Sequence, residues 1–286
     1  MQRSMAIRAT IVGIAANALL LVVKSVAAGF SDSLVIFSEA LNSLSDVVAA
    51  LAILVCVRWA WQNPDASHPF GHRRAEPVAG LLVAMFIGIL GFEVCRTAVT
   101  DLWASTHPEH IGVAPIAALL VTAATKTAMT FYFKRRAGQL HSPAFRAAAL
   151  DCRNDVLISV QGLVAVVLAH YQVPVLDTLA ALLVGVYILY SAYGIGMENI
   201  DYLMGKAPDD ELLGDIRRTA EQVPGVVEVD DIKAHYVGTF VHVELAVRVD
   251  GSLSTVASHN LAEAARQAIE QLPMIDRAFV HIEPAR

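Results

Sequence analysis

Cysteine and charged residues are both scarce in this chain of 286 residues. The three cysteines include no CxxC pair, so the sequence predicts neither a disulfide framework nor a thiolate zinc site. Charged residues make up only 17% of the chain, against 56% hydrophobic residues, and the mean hydropathy is +0.53. This composition is too apolar for a soluble domain and is typical of an integral membrane protein.

Common signatures of catalysis are also missing from the sequence. There is no HExxH motif, no glycine-rich phosphate loop and no evident pair of nucleophile and base. We therefore expect no enzyme, no prosthetic group and no nucleic-acid partner. A membrane-bound metalloenzyme stays open as an alternative, and a test for hydrolytic activity in purified protein would decide it.

Six apolar stretches are long enough to cross a bilayer, which takes about 20 residues. The predicted spans are 7–29, 34–57, 77–99, 111–133, 146–169 and 174–197. The first stretch follows Arg3 and Arg8 and ends without a convincing small-residue cleavage pattern, so we expect a retained span rather than a signal peptide.

The basic residues near the span ends predict the orientation. They occur in the N-terminal segment and in the second and fourth loops, whereas the other three loops contain no Lys or Arg. Cytoplasmic loops carry the excess of Lys and Arg in membrane proteins. We therefore expect a multi-pass protein of the cell membrane with both termini in the cytoplasm.

The chain changes character after Met204. Residues 206–286 contain 14 acidic and 8 basic side chains, whereas residues 1–205 contain 13 of each. Gly205 and Pro208 are expected to end the last membrane helix. The sequence thus predicts a transmembrane transport domain over 1–205 and a cytoplasmic metal-binding or dimerisation domain over 206–286.

The C-terminal segment has the pattern of a small α+β domain. Valine and leucine alternate with polar residues along "TFVHVELAVRVD", as expected for a strand with one buried face. The predicted order is helix 209–222, strands 226–237 and 239–250, helix 254–271 and strand 277–284. This order suggests a ferredoxin-like sheet backed by helices.

Polar residues inside two predicted spans form matched pairs. Asn42 and Asp46 lie four residues apart in the second span, as do Asp151 and Asp155 in the fifth. Residues at this spacing share one helix face, so two packed helices would offer four oxygen donors to one centre. Three buried carboxylates require compensating positive charge, which a divalent cation or protons can supply.

Two other interpretations of these polar residues stay open. The carboxylates could lie near the interface, or they could pair with the basic residues inside predicted spans, which are Lys24, Arg96 and Lys126. Glu39 lies on the same face as Asn42 toward the outer end of its span. Glu39 could attract cations at an exit mouth, or it could be an ordinary interfacial carboxylate.

The second loop, "NPDASHPFGHRRAEP", contains a compact set of metal-ligand types. Asp65, His68 and His72 together suit a first-row divalent metal. Loop histidines are also often simply solvated, so spacing alone does not establish this site.

The segments "SLSDVVAALA", "HPFGHRRAEPVAGL" and "AALDCRNDVLIS" resemble the cation diffusion facilitator family over essentially the whole chain. The resemblance implies a homodimeric exporter, embedded in lipid, that exchanges cytoplasmic divalent metal for protons. It also implies a transport site formed by Asn42, Asp46, Asp151 and Asp155. A metal-gated cation channel remains the alternative from another class, and dependence of flux on a proton gradient would separate the two.

The ligand types bear on the transported ion. Zinc-transporting members of the family usually have histidine at the position of Asp151, and zinc favours nitrogen and sulfur ligands. An all-oxygen set favours Mn²⁺, with Fe²⁺ next, and it resembles that of the manganese branch. An exporter that prefers zinc, or one of broad range, is the alternative.

The resemblance also points to a second group of metal ligands in the cytoplasmic tail. They are Asp230, Glu244, His259, His281 and Glu283. The tail is expected either to sense metal as a dimer or only to dimerise. One departure concerns the base at Arg74, because Gly205 stands where zinc-type members have an aspartate after the sixth span.

Overall fold

A computed structural model describes residues 2–29, 34–104, 113–170 and 174–285 of the chain. It divides into two compact units, Met1–Ile200 and Asp201–Arg286, which are described separately below.

The first unit contains six long helices, as the hydropathy pattern predicted. They are α1 (Gln2–Gly29), α2 (Leu34–Ala60), α3 (Ala75–Ala104), α4 (Val113–Leu140), α5 (Pro143–His170) and α6 (Pro174–Leu203). At 1.5 Å rise per residue, helices of 27 to 30 residues are longer than the hydrocarbon core of a bilayer.

Five of these helices meet the length and composition expected of a membrane span within the described residues. They are α1, α2, α3, α4 and α6. The helix outside this group is α5, which carries Asp151, Arg153 and Asp155 within two turns. This helix is one of the two that the sequence predicts to supply ligands.

Small residues bring the membrane helices close together. Ala9, Ala79 and Ala144 are fully buried in the core of this unit. At Gly80 of α3, an added Cβ would lie 2.1 Å from Asn199 Oδ1 of α6, so only glycine permits this approach. Close backbone approach through small side chains is the usual packing mode of membrane helices.

The second unit has the predicted order of elements. These are α7 (Asp210–Glu221), β1 (Val226–Val237), β2 (Phe240–Asp250), α8 (Thr255–Glu270) and β3 (Ile275–Ala285). Both helices begin at a side-chain cap, since Asp209 accepts a hydrogen bond from Leu212 N and Ser254 accepts one from Ala257 N.

The sheet of this unit has the order β1-β2-β3. An antiparallel hairpin joins β1 to β2 through Gly238, whose φ of 65° suits a tight turn, and β3 returns parallel to β2 after α8. This is the ferredoxin-like β-α-β-β-α-β order without its first strand, so the predicted ferredoxin-like sheet has three strands.

Alternation along β2 determines which sheet face is buried. Val243, Leu245 and Val247 are buried and share a core with Ile216 of α7 and Ile269 of α8. The residues between them lie on the opposite face, away from the helices.

Candidate metal-transport site

Three of the four predicted transport-site residues converge inside the helical unit. Asp46 of α2 and both Asp151 and Asp155 of α5 can each place a carboxylate oxygen within 4.8 Å of the others. Asp155 is only 4% exposed, and the other two are half-buried. The i,i+4 spacing therefore directs both α5 carboxylates toward the same point on α2.

Asn42, the fourth predicted residue, lies with Asp46 and Asp151 along one cavity of about 530 Å³. Its walls also include Glu93 of α3 and Gln161 of α5. The cavity gives the carboxylate cluster a partly polar space in which a hydrated ion could approach.

A basic residue of α4 lies within the cluster. Lys126 Nζ lies 2.6 Å from Asp46 Oδ2 and 2.5 Å from Asp155 Oδ2, and the lysine is 1% exposed. The alternative that in-span bases pair with these carboxylates is therefore correct for Lys126. Arg96 instead pairs with Glu93, with 2.5 Å between Arg96 Nη2 and Glu93 Oε1.

Asp155 retains an oxygen that could bind a cation. Its Oδ1 is buried and accepts no hydrogen bond in the part of the chain that the structure describes. With all three carboxylates ionised and Lys126 protonated, these four side chains carry two excess negative charges, while the buried Lys24 of α1 adds a positive charge that acts on Asp155. Uncompensated charges in a low-dielectric interior are costly, so the excess negative charge favours a bound cation.

Hydrogen bonds from neighbouring residues fix the backbone around the ligands. The Asn17 amide of α1 donates to the Asp46 carbonyl oxygen at 3.3 Å, and the Ser159 hydroxyl donates to the Asp155 carbonyl oxygen at 2.8 Å. These contacts hold α1 against α2 and stiffen α5 beside its ligands.

The loop between α2 and α3 brings its three predicted ligands together. His68 Nδ1 lies 3.5 Å from Asp65 Oδ1, and His72 Nε2 lies 3.4 Å from Asp65 Oδ2. Asp65 accepts hydrogen bonds from the Ser67 hydroxyl and from the backbone N–H groups of His68 and Ser67, and these bonds lower its pKa to about 2. The result is an ionised carboxylate beside two imidazoles, a set that suits a first-row divalent metal.

The five predicted ligands of the tail do not come together within one chain. Within the described residues, they form no cluster of three potential ligands. Arg248 Nη2 lies 2.7 Å from Asp230 Oδ1, and His281 Nε2 lies 3.2 Å from Glu283 Oε1. Glu244 lies beside Lys233 and Phe279 in the sheet register.

The remaining tail ligand, His259, lies on α8, which packs against the buried sheet face, whereas Glu244, His281 and Glu283 lie on the opposite face. A metal site that uses all five ligands would therefore need a second copy of the chain or a rearrangement. The side chain of Glu39 lies outside the described residues, so its predicted position at an exit mouth stays a prediction.

One buried polar contact was not predicted. Glu76, at the start of α3, accepts a hydrogen bond from the Ser142 hydroxyl just before α5, and both residues are buried. The contact joins the end of the loop that carries Asp65 and His72 to the helix that carries Asp155. The only sequence signal was the glutamate that ends the loop motif "HPFGHRRAEP".

Comparison with known proteins decides the family. The cation efflux transmembrane domain matches residues 10–204, and the cation efflux protein cytoplasmic domain matches residues 208–285. The chain belongs to the cation diffusion facilitator family. Divalent-cation efflux across a membrane is the activity of this family, which consists of transporters rather than enzymes, and its cytoplasmic domain is associated with dimerisation.

Individual relatives match along nearly the whole chain. An uncharacterised transporter of Methanocaldococcus jannaschii is 32% identical over 96% of both chains. The manganese efflux system protein MneS of Bacillus subtilis is 29% identical over 96% of this chain and 94% of its own length. The cation-efflux pump FieF of Citrobacter koseri is 32% identical over 97% of this chain and 92% of its own length.

Proposed function

We propose that this protein exports Mn²⁺ from the cytoplasm in exchange for protons, with Fe²⁺ as the next-best substrate. The observation that carries the proposal is the cluster of Asp46, Asp151 and Asp155, which offers carboxylate oxygens to a cation. Oxygen donors suit Mn²⁺, which accepts about six of them with water completing the shell. Similarity to a manganese efflux protein supports the same choice.

Proton exchange follows from the charge of the empty site. When the ion leaves, three carboxylates lie with oxygens within 4.8 Å of one another, and the Lys126 ammonium contacts two of them. Protons arriving from the outer side neutralise the excess charge and allow the empty carrier to return. A channel would not need this cycle, and its flux would not follow an imposed proton gradient.

The remaining parts of the proposal concern topology and regulation. The carrier works as a homodimer in the cell membrane, with both termini in the cytoplasm. The basic loops on one side of the membrane support this orientation. Asp65, His68 and His72 then form a cytoplasmic metal site beside α3, and the tail ligands sense metal across two copies of the chain.

A second candidate function is export with zinc preference or a broad range. The two imidazoles of the loop and the 32% identity to a FieF cation-efflux pump favour it. The transport cluster itself favours manganese, because it would provide zinc with no nitrogen or sulfur ligand.

The test is ion uptake into proteoliposomes under an imposed pH gradient. Mn²⁺, Fe²⁺ under reducing conditions, and Zn²⁺ are compared for the parent, Asp46→Asn and Asp155→Asn. Asp210→Asn makes the same chemical change at an exposed position at the start of α7 and serves as the control. We expect gradient-dependent Mn²⁺ uptake in the parent and control, and none in the site variants. Uptake at the same rate with and without the imposed pH gradient would exclude antiport.

A further inference from the structure

Lys126 occupies the place where the proposed substrate would bind. Its ammonium contacts one oxygen of Asp46 on α2 and one of Asp155 on α5, at 2.6 and 2.5 Å. The lysine is 1% exposed, so its ammonium is shielded from bulk solvent. A buried cation in direct contact with two of the three clustered carboxylates offsets part of their negative charge, as a bound metal ion would.

We propose that Lys126 is a tethered competitor of the transported ion, and that it sets the affinity of the transport site. The proposal rests on the function proposed above, because it requires the ion to bind among these carboxylates. In the ion-free site the ammonium holds Asp46 and Asp155 together. An entering cation must share or displace that contact.

The geometry makes the competition direct. Metal–oxygen bonds to carboxylates are about 2.0–2.2 Å long for small divalent ions. An ion bound to Asp46 Oδ2 and Asp155 Oδ2 would therefore lie within a few ångströms of Lys126 Nζ, and the two cations would repel strongly in this buried setting. An entering metal ion could first bind to Asp155 Oδ1 and to the oxygens of Asp151, because the Lys126 ammonium does not contact these atoms directly.

A competing cation in the site would speed the transport cycle, because a carrier must release the ion it has bound. Three unopposed carboxylates in a low-dielectric interior would bind a divalent ion tightly and let it go slowly. A lysine attached to α4 can return to the same oxygens as the ion leaves. It also spares the empty site the full cost of three facing negative charges.

A purely structural ion pair predicts the opposite response to mutation. If Lys126 only stabilised the bundle, its loss would loosen the cluster and weaken metal binding. If Lys126 competes, its loss strengthens metal binding and slows turnover. The sign of the change in affinity therefore separates the two roles.

The experiment uses the full chain in lipid nanodiscs and Mn²⁺ as the probe, at about pH 8 so that protons compete little with the metal. Calorimetry gives Kd for the parent, Lys126→Met and Lys126→Gln. Lys126→Arg keeps the charge. Lys134→Met removes an exposed lysine two turns further along the same helix and is the matched control.

We expect Kd to fall by about tenfold or more in both neutral variants, which corresponds to about 1.4 kcal/mol per factor of ten. Lys126→Arg and the control should stay near the parent. In vesicles, KM and maximal rate should fall together in the neutral variants. The increase in Tm on adding Mn²⁺ should be larger than in the parent, because the metal replaces a missing cation.

An unchanged or weaker Kd in folded Lys126→Met and Lys126→Gln would overturn the proposal. Neutral variants that can be purified only with Mn²⁺ present would support it, whereas variants that fail to fold with or without Mn²⁺ would indicate a structural role and overturn it. Asp155→Asn separates this failure from a failure of the proposed function. If Asp155→Asn still binds Mn²⁺ normally, the transport site itself is wrong. If that variant loses binding while Lys126→Met gains none, only the role of Lys126 is refuted.

Discussion

Replacing Asp151 with histidine should shift the ion preference from Mn²⁺ toward Zn²⁺. Asp151 is the most suitable position for this change because the Lys126 ammonium bridges the other two carboxylates, Asp46 and Asp155. The exchange therefore alters one ligand and leaves that bridge in place. The new imidazole lies at the same position on α5, so the four-residue spacing to Asp155 is unchanged.

The size of the shift follows from charge and ligand type. Asp151→His removes one negative charge from the cluster. Both ions lose electrostatic attraction, but zinc gains a nitrogen donor that it prefers, whereas manganese loses one of its oxygen donors. A tenfold change in preference requires only about 1.4 kcal/mol, which a single ligand exchange can supply. We expect a change of that order.

The assay is the ratio of initial Mn²⁺ to Zn²⁺ uptake in vesicles that carry parent or variant protein under the same proton gradient. Asp151→Asn is the matched control, because it removes the charge without adding an imidazole. We expect Asp151→Asn to slow both ions with a smaller change in their ratio.

Two results would refute this reasoning. An unchanged ratio in an active Asp151→His protein would mean that selectivity is determined elsewhere, for example by helix packing or by the loop with His68 and His72. An equal shift in Asp151→Asn would mean that charge, rather than ligand type, determines the preference.

Three further predictions concern the tail and the loop. In the isolated tail, residues 206–286, Ile269→Ala should lower the free energy of unfolding by about 2–5 kcal/mol, because Ile269 is fully buried. Val256→Ala, on the exposed face of the same helix, should change it by less than about 0.5 kcal/mol. Chemical denaturation measures both changes. The isolated tail should also self-associate more tightly when Mn²⁺ or Zn²⁺ is added. Its 14 acidic side chains outnumber 8 basic ones, so two copies repel each other, and a bound cation would reduce that repulsion. Calorimetry that detects neither metal binding nor tighter association would exclude metal sensing. Hydrogen bonds lower the Asp65 pKa to about 2 in the folded loop, against an ordinary value of 3.8. Asp65 should therefore stabilise the loop turn fully above about pH 4, and this contribution should be lost as the pH falls toward 2. The Asp65 carboxyl signal, followed by NMR, should titrate with that low midpoint.

The convergence of Asp46, Asp151 and Asp155 could be predicted from sequence because the helix period links spacing to direction. Two residues four apart must share a face, and a carboxylate inside a membrane span needs a partner. The role of Lys126 could not be predicted in the same way. Lys24, Arg96 and Lys126 all lie within apolar helices, and only the packing of α4 against α2 and α5 shows that Lys126 contacts both Asp46 and Asp155.

The tail shows a similar division between what sequence determines and what it leaves open. Alternation along β2 predicts its buried face, because side chains in a strand alternate with a period of two. Contacts across strands depend on register, and β1 departs from regular pairing between Val229 and Asp231. Arg248 lies opposite Glu228 and pairs with both Glu228 and Asp230 at 2.7 Å, and no local pattern in the sequence predicts these contacts.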